Sequence, residues 1–69
     1  MRNAVHKRGA LYVSVSENAD GTATICCRNV KRGNWFGWES HPDYEAACSR
    51  YHLSDENRLS EAEAAAVVA

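Results

Sequence analysis

Residues 10–29 read ALYVSVSENADGTATICCRN, which is two alternating segments joined by a turn. In residues 10–16 a leucine and two valines occupy every second position, the pattern of a strand with one buried face. Residues 22–29 alternate in the same way, and Gly21 suits the left-handed position of a hairpin loop. This stretch therefore predicts the antiparallel hairpin on which the rest of the fold is built.

Segments after the hairpin predict one more strand and then helices. Residues 35–39 (WFGWE) follow a second turn and are typical of a third strand. The apolar period then becomes helical, and Ser40 or Asp43 can cap the first helix. Residues 54–68 are predicted to be helical, as one helix or as two. The apolar stripe of the first helix is expected to lie on the sheet and consists of Tyr44, Ala47, Cys48 and Tyr51.

Together these elements predict a small α+β domain over residues 10–69. We expect a three-stranded antiparallel meander followed by two helices (βββαα), packed on one face of the sheet. Residues 1–9 are basic and are expected to form a mobile N-terminal arm. Because large apolar side chains are few, we expect a thin core that contains at least one of the third strand's aromatic residues: Trp35, Phe36 and Trp38.

The three cysteines are an odd number, which excludes a fully paired disulfide scaffold and favours a reducing compartment. Cys48 and His52 stand four residues apart on a predicted helix, and with Cys26 or Cys27 and His41 they contain the ligand types of a zinc site. No CxxC knuckle supports that site, so we predict buried structural thiols, no metal and no cofactor.

Catalysis is not expected from this sequence. Cys48 with His41 or His52 contains the atoms of a thiolate–imidazole pair, but nothing places an oxyanion hole or an orienting group. The four glycines are scattered and form no phosphate-binding loop. We therefore predict a non-enzymatic binding protein, monomeric or weakly dimeric.

Charge is sorted by position along the chain. Residues 1–37 carry six basic and two acidic side chains, for a net charge of +4, and residues 38–69 carry two basic and seven acidic ones, for a net charge of −5. Such an asymmetry biases which partners a small protein meets. No secretory signal or membrane span is visible, so we expect a cytoplasmic protein that does not bind membranes.

The acidic half favours a protein partner with a basic surface. Carboxylates along a helical face can compete with phosphates for Lys/Arg-rich surfaces that normally hold nucleic acid. We therefore predict a binding inhibitor that covers a nucleic-acid-binding surface of a target complex. The predicted contact set is the acidic face formed by Glu39, Asp43, Glu45, Asp55 and Glu56.

The basic half favours an alternative function, direct binding of nucleic acid. Arg28, Lys31 and Arg32 surround the second turn beside Trp35, and Tyr12 lies on a neighbouring strand. Aromatic side chains on a sheet can stack on bases while flanking cations neutralise phosphates. The alternative predicts that this basic and aromatic hairpin contacts oligonucleotides directly.

In size, α+β organisation, lack of catalytic motifs and acidic C-terminal half, the chain resembles the anti-CRISPR proteins, small phage-encoded inhibitors of host defence. The resemblance implies a CRISPR effector as the target complex and the host cytoplasm as the compartment. These families share no sequence pattern, so no functional residue is carried over. The residues behind the resemblance are Glu39, Asp43, Glu45, Asp55, Glu56, Glu61 and Glu63.

Overall fold

The computed structural model describes residues 2–31 and 33–68. It shows an α+β fold in which an antiparallel sheet is followed by two helices. The sheet has the strand order β1-β2-β3-β4, with β1 at Asn3–Arg8, β2 at Leu11–Glu17, β3 at Ala23–Asn29 and β4 at Phe36–His41. Helix α1 spans Tyr44–Arg50, a 3₁₀ turn spans Asp55–Asn57, and helix α2 spans Glu61–Val68.

The central hairpin forms as the alternation predicts. Val13 and Val15 on β2 are fully buried, and they pair with Cys27 and Ile25 on β3. Paired residues of an antiparallel ladder share a face, so these four side chains form one apolar surface. Gly21 in the connecting loop has a φ of +89°, the left-handed conformation expected for it.

The N-terminal segment forms a fourth strand, so the predicted mobile arm and three-stranded sheet are wrong. Residues 3–8 pair with β2 along their whole length, and the two-residue connection begins at Gly9, whose φ is +59°. Val5 and His6 are buried on opposite faces of the sheet. Lysine and arginine at the end of an edge strand discourage edge-to-edge association, which explains why a strand looks like a basic arm in the sequence.

Helix α1 covers the face of the sheet that carries the valines, which we call the core face. Asp43 caps the helix, since its Oδ1 accepts a hydrogen bond of 2.8 Å from the backbone N–H of Ala46. Ala47 is fully buried, which confirms the predicted stripe. Partly buried side chains pack around this core: Tyr44, Cys48, Tyr51 and Leu53.

Helix α2 lies on the other side of the sheet, so the prediction of a helical layer on one face is wrong. Ser60 and Glu63 form the capping box that begins it. A groove of about 540 Å³ separates its first turns from β1. At its other end the carbonyl of Val67 accepts a hydrogen bond from Nη1 of Arg28, whose side chain points away from the core face. We call this second surface, which carries Tyr12, Ser14, Cys26 and Arg28, the outer face.

The segment between the helices closes the β1 edge. The backbone N–H of Leu59 donates to the carbonyl of Val5 at 2.8 Å, and the backbone of Arg58 forms an isolated antiparallel β-bridge with that of His6. Nδ1 of His6 lies 2.9 Å from Oδ1 of Asn57, which fixes the 3₁₀ turn beside β1. None of the helices in the described ranges is long and apolar enough to cross a membrane.

Candidate functional site

Glu39, the first member of the predicted acidic face, is engaged inside the fold. It lies on the core face of β4, where Oε1 is 3.0 Å from Nε2 of His41 and 3.4 Å from Nε of Arg50. Tyr51 donates a hydrogen bond of 3.2 Å to Oε2. The hydrogen bond with His41, together with Arg50 and Tyr51, lowers the pKa of Glu39 below its ordinary value. This carboxylate ties α1 to β4.

The other four acidic residues do not form one surface with Glu39. Asp43 caps α1, and Glu45 accepts a hydrogen bond of 3.0 Å from Arg2, which lowers the pKa of Glu45. Asp55 and Glu56 are exposed on the 3₁₀ turn beside β1, and Asp55 pairs with Arg58 at 3.5 Å. Since β1 and β4 are the two edges of the sheet, the set is divided between opposite sides of the molecule.

The alternative contact set is only partly available to a ligand. Arg28 is partly buried, and its guanidinium is held by the Val67 carbonyl. Lys31 is exposed in the loop between β3 and β4, and Trp35 at the end of that loop is half-buried. Arg32 lies outside the described residues.

Large aromatic side chains of β4 are left outside the core, contrary to the sequence prediction. Trp38 is 68% exposed and Phe36 is 49% exposed, while Trp35 is only half-buried. The largest fully buried side chains are instead Ile25 and the valines and cysteine beside it. A domain that is short of apolar volume thus leaves its tryptophans out of its core.

Strand pairing explains where Trp38 points. Its neighbour Glu39 pairs with Ile25 on the core face, so Trp38 points to the outer face. Between the pairs Ile25–Glu39 and Cys27–Phe36, β4 contains one residue more than β3, a bulge for which Gly37 supplies the conformation with a φ of +68°. The extra residue lets Phe36 pair with Cys27 on the core face.

On the outer face the structure assembles a group that the sequence did not predict as a unit. Lys7 on β1 pairs with Tyr12 on β2, and Tyr12 pairs with Arg28 on β3. Trp38 on β4 is two strand spacings from Tyr12 and is also displaced by two residues along the strands, so their Cα atoms lie roughly 12 Å apart. We call Lys7, Tyr12 and Trp38 the outer-face cluster. Gly9 is the sequence feature that could have predicted the position of Lys7, because a two-residue hairpin turn that begins at Gly9 pairs Lys7 with Tyr12.

Cys26 lies apart from the other two cysteines. Cys27 is buried in the core and Cys48 of α1 packs against the same cluster, whereas Cys26 is buried on the outer face. Burial raises the pKa of both Cys26 and Cys48, which disfavours the thiolate required for nucleophilic attack. Among residues 2–31 and 33–68, no three His, Cys, Asp or Glu side chains come together as metal ligands.

Comparisons of this chain with protein-family models, with curated proteins and with solved structures found no match.

Proposed function

We propose that the protein is a non-enzymatic binding module for single-stranded nucleic acid, which it contacts with the outer-face cluster. The observation that carries the proposal is the 68% exposure of Trp38 on the same face as Tyr12 and Lys7. The exposed indole offers a stacking surface, and Lys7, on the opposite edge strand of the same face, offers a phosphate contact.

The exposure of Trp38 is not explained by packing within this domain. The fully buried side chains are small, so an indole turned inward would have added considerable apolar area to a thin core. Instead, the pairing of Glu39 with Ile25 turns the ring outward, next to a bulge at Gly37. The same bulge disturbs the β4 edge and so disfavours pairing with a strand of another chain. Stacking of a planar ligand on the ring is the use that agrees with both features.

Single-stranded nucleic acid fits this surface better than duplex. Stacking on Trp38 requires a base whose faces are free, and in a duplex these faces are already stacked; Tyr12 is half-buried and contributes less surface. Lys7 and Lys31 are exposed near the rings and can neutralise the phosphates that connect the bases. Stacking tolerates all four bases, so little sequence preference is expected.

The inhibitor with an acidic contact surface stays a prediction. Its carboxylates at Glu39, Asp43 and Glu45 already bond within the domain, and Asp55 pairs with Arg58, although all of these except Glu39 are exposed. An anti-CRISPR function, with a CRISPR effector as partner, likewise stays a prediction. The bonded state of the first three carboxylates is why we favour nucleic acid as the ligand.

Titration of bare oligonucleotides tests the proposed function. Tryptophan fluorescence is followed while unlabelled single strands, or duplexes of the same length, are added at several salt concentrations. We expect quenching by the single strand and an affinity that falls as salt rises, because phosphate contacts release counterions. Absence of binding at low salt, together with capture of a protein from nuclease-treated lysate, would overturn the proposal and favour the inhibitor.

A further inference from the structure

Two grooves flank the Gly9 turn that joins β1 to β2. One, of about 400 Å³, opens beside the outer-face cluster and is lined by Lys7 and Lys31. The other, of about 590 Å³, lies on the α1 side and is lined by Arg8, Leu11, Arg50, Tyr51 and His52. Gly9 lines both grooves. We call the second one the α1-side groove.

The α1-side groove is positively charged and has no carboxylate in its lining among the described residues. Arg8 is exposed on β1, and within the described ranges no acidic side chain lies at salt-bridge distance from it. Arg8 therefore presents unneutralised charge to a ligand, whereas Arg50 is paired with Glu39. The groove is therefore suited to an anion.

Arg50 is held in a fixed orientation in this groove. Its Nε is 3.4 Å from Oε1 of Glu39, and its guanidinium lies over the Tyr51 ring at 4.6 Å from the ring centroid. A guanidinium fixed in this way loses less freedom when it binds, which suits it to recognising phosphate. The contact with Glu39 uses one of the three guanidinium nitrogens of Arg50, the Nε atom.

His52 occupies a strained backbone position at the rim of the groove. It has a φ of +55°, where glycine or asparagine is usual, because it follows α1 in a Schellman turn. That turn is closed by hydrogen bonds from the N–H of His52 to Ser49 and from the N–H of Leu53 to Cys48. Strain of this kind concentrates at functional sites. His52, at a position where glycine is usual, provides its imidazole as a third hydrogen-bond donor beside Arg8 and Arg50.

From these observations we infer that the α1-side groove binds the phosphates of the same nucleic-acid strand whose bases stack on the outer face. The strand passes over the Gly9 turn, and Arg8, Arg50 and His52 donate to its phosphate oxygens. This inference rests on the proposed function, since it extends one binding site across the end of the sheet. It assigns the groove a phosphodiester ligand and gives Arg8 and Arg50 a role in affinity.

Oligothymidylates of two lengths test the inference, about four and about twelve nucleotides, both within the range of site sizes of small single-strand-binding domains. The short strand covers the outer face only, and the long strand also reaches the groove. The variant is Arg8→Gln, which removes a charge without breaking an ion pair. The control is Arg58→Gln, which removes another exposed arginine, beside the 3₁₀ turn, together with its ion pair to Asp55.

The expected size of the effect follows from counterion release. Each phosphate contact of a single strand contributes about 0.7 to the salt slope, so its loss weakens binding about fourfold at 0.15 M salt and about eightfold at 0.05 M, relative to 1 M. We expect Arg8→Gln to show this loss with the long strand and no loss with the short one. Arg58→Gln should change neither affinity by more than about twofold, because the contact is local.

Each other outcome identifies a different error. If wild-type protein binds neither strand, the proposed function itself fails. If both strands bind but Arg8→Gln behaves like Arg58→Gln, the function stands and the groove is not part of the site. If Arg8→Gln weakens both strands equally, Arg8 acts through the general field and the inference is overturned. Arg8-dependent binding to anionic phospholipid vesicles, without dependence on strand length, would assign the groove to lipid headgroups instead.

Discussion

Trp38→Ala separates a binding role of the indole from a packing role. Truncation of a fully buried tryptophan to alanine costs about 3–5 kcal/mol, through lost burial and a residual cavity. Because Trp38 is 68% exposed, only about one third of that loss applies. We therefore expect the free energy of unfolding to fall by about 1 to 1.5 kcal/mol, or about 4–12 °C in Tm for a domain of this size.

The effect of the same variant on binding is expected to be larger than its effect on stability. Loss of one base–aromatic stack costs about 1–3 kcal/mol, which corresponds to about a 5- to 150-fold increase in Kd. Fluorescence anisotropy with a labelled single strand measures this change and does not depend on the removed indole. Binding is measured well below the Tm of the variant, so that the folded fraction is the same as in wild type.

Two further variants make this result decisive. Ile25→Val in the core should cost about 0.5–1.5 kcal/mol of stability, similar to Trp38→Ala, while the affinity stays unchanged. Trp38→Phe keeps a ring on the outer face and should recover most of the affinity. The reasoning is refuted if Trp38→Ala binds within twofold of wild type, or if Ile25→Val weakens binding as much as Trp38→Ala does.

Three other variants probe the fold. His52→Gly should raise the free energy of unfolding by about 0.5–1 kcal/mol, because glycine adopts the left-handed conformation without strain; an unchanged or lower Tm contradicts this. A hydrogen bond to Cys27, followed by burial, raises the pKa of Tyr51 to about 12. The unfolded chain therefore loses this proton first, and stability should fall between about pH 10 and pH 12. In Tyr51→Phe that decline should be shallower in denaturant unfolding, and an identical slope contradicts the assignment. Ala65→Pro breaks α2 and should speed alkylation of the Cys26 thiol, whereas Ala62→Pro lies in the first turn, where proline is tolerated, and serves as the control. Equal alkylation rates in the two variants would mean that α2 does not cover Cys26.

The part of the fold that depends on local pattern could be predicted from the sequence. Strands β2 and β3 and their loop follow from alternation and one glycine, and α1 follows from its apolar stripe and a capping aspartate. Strand β1 could not be predicted in this way, because Val5 and His6 are adjacent and both buried. That arrangement requires cover on both faces of the sheet, and α2, which supplies the cover on the outer face, lies more than fifty residues away in the chain.

The candidate site depends on the pairing register of the strands, which cannot be read from the amino-acid composition. The sequence indicated that cations and aromatic rings lie near each other around the second turn, but it selected Arg28 and Trp35, which the fold partly buries. The residues that share the outer face with Trp38 are set by the pairing of β1 with β2 and by the pairing of Glu39 with Ile25. A one-residue change in either register would turn Lys7 or Trp38 to the opposite face.

In the folded molecule, basic and acidic side chains are separated between the two ends of the strands and not between the two halves of the sequence. The turn at Gly9 and the loop that carries Lys31 lie at one end of the sheet, and α1 brings Arg50 from the acidic half to that same end. At the other end, Glu17 and Glu45 lie together around Arg2, which joins them by ion pairs. The C-terminus of α1 carries partial negative charge, which stabilises Arg50 in its last turn but opposes an anion, so attraction of an anion to this end comes from the exposed lysines and arginines. A polyanion approaching this molecule is therefore attracted to the end where the outer face and the α1-side groove meet, and the acidic end repels it, so the charge distribution selects one docking orientation.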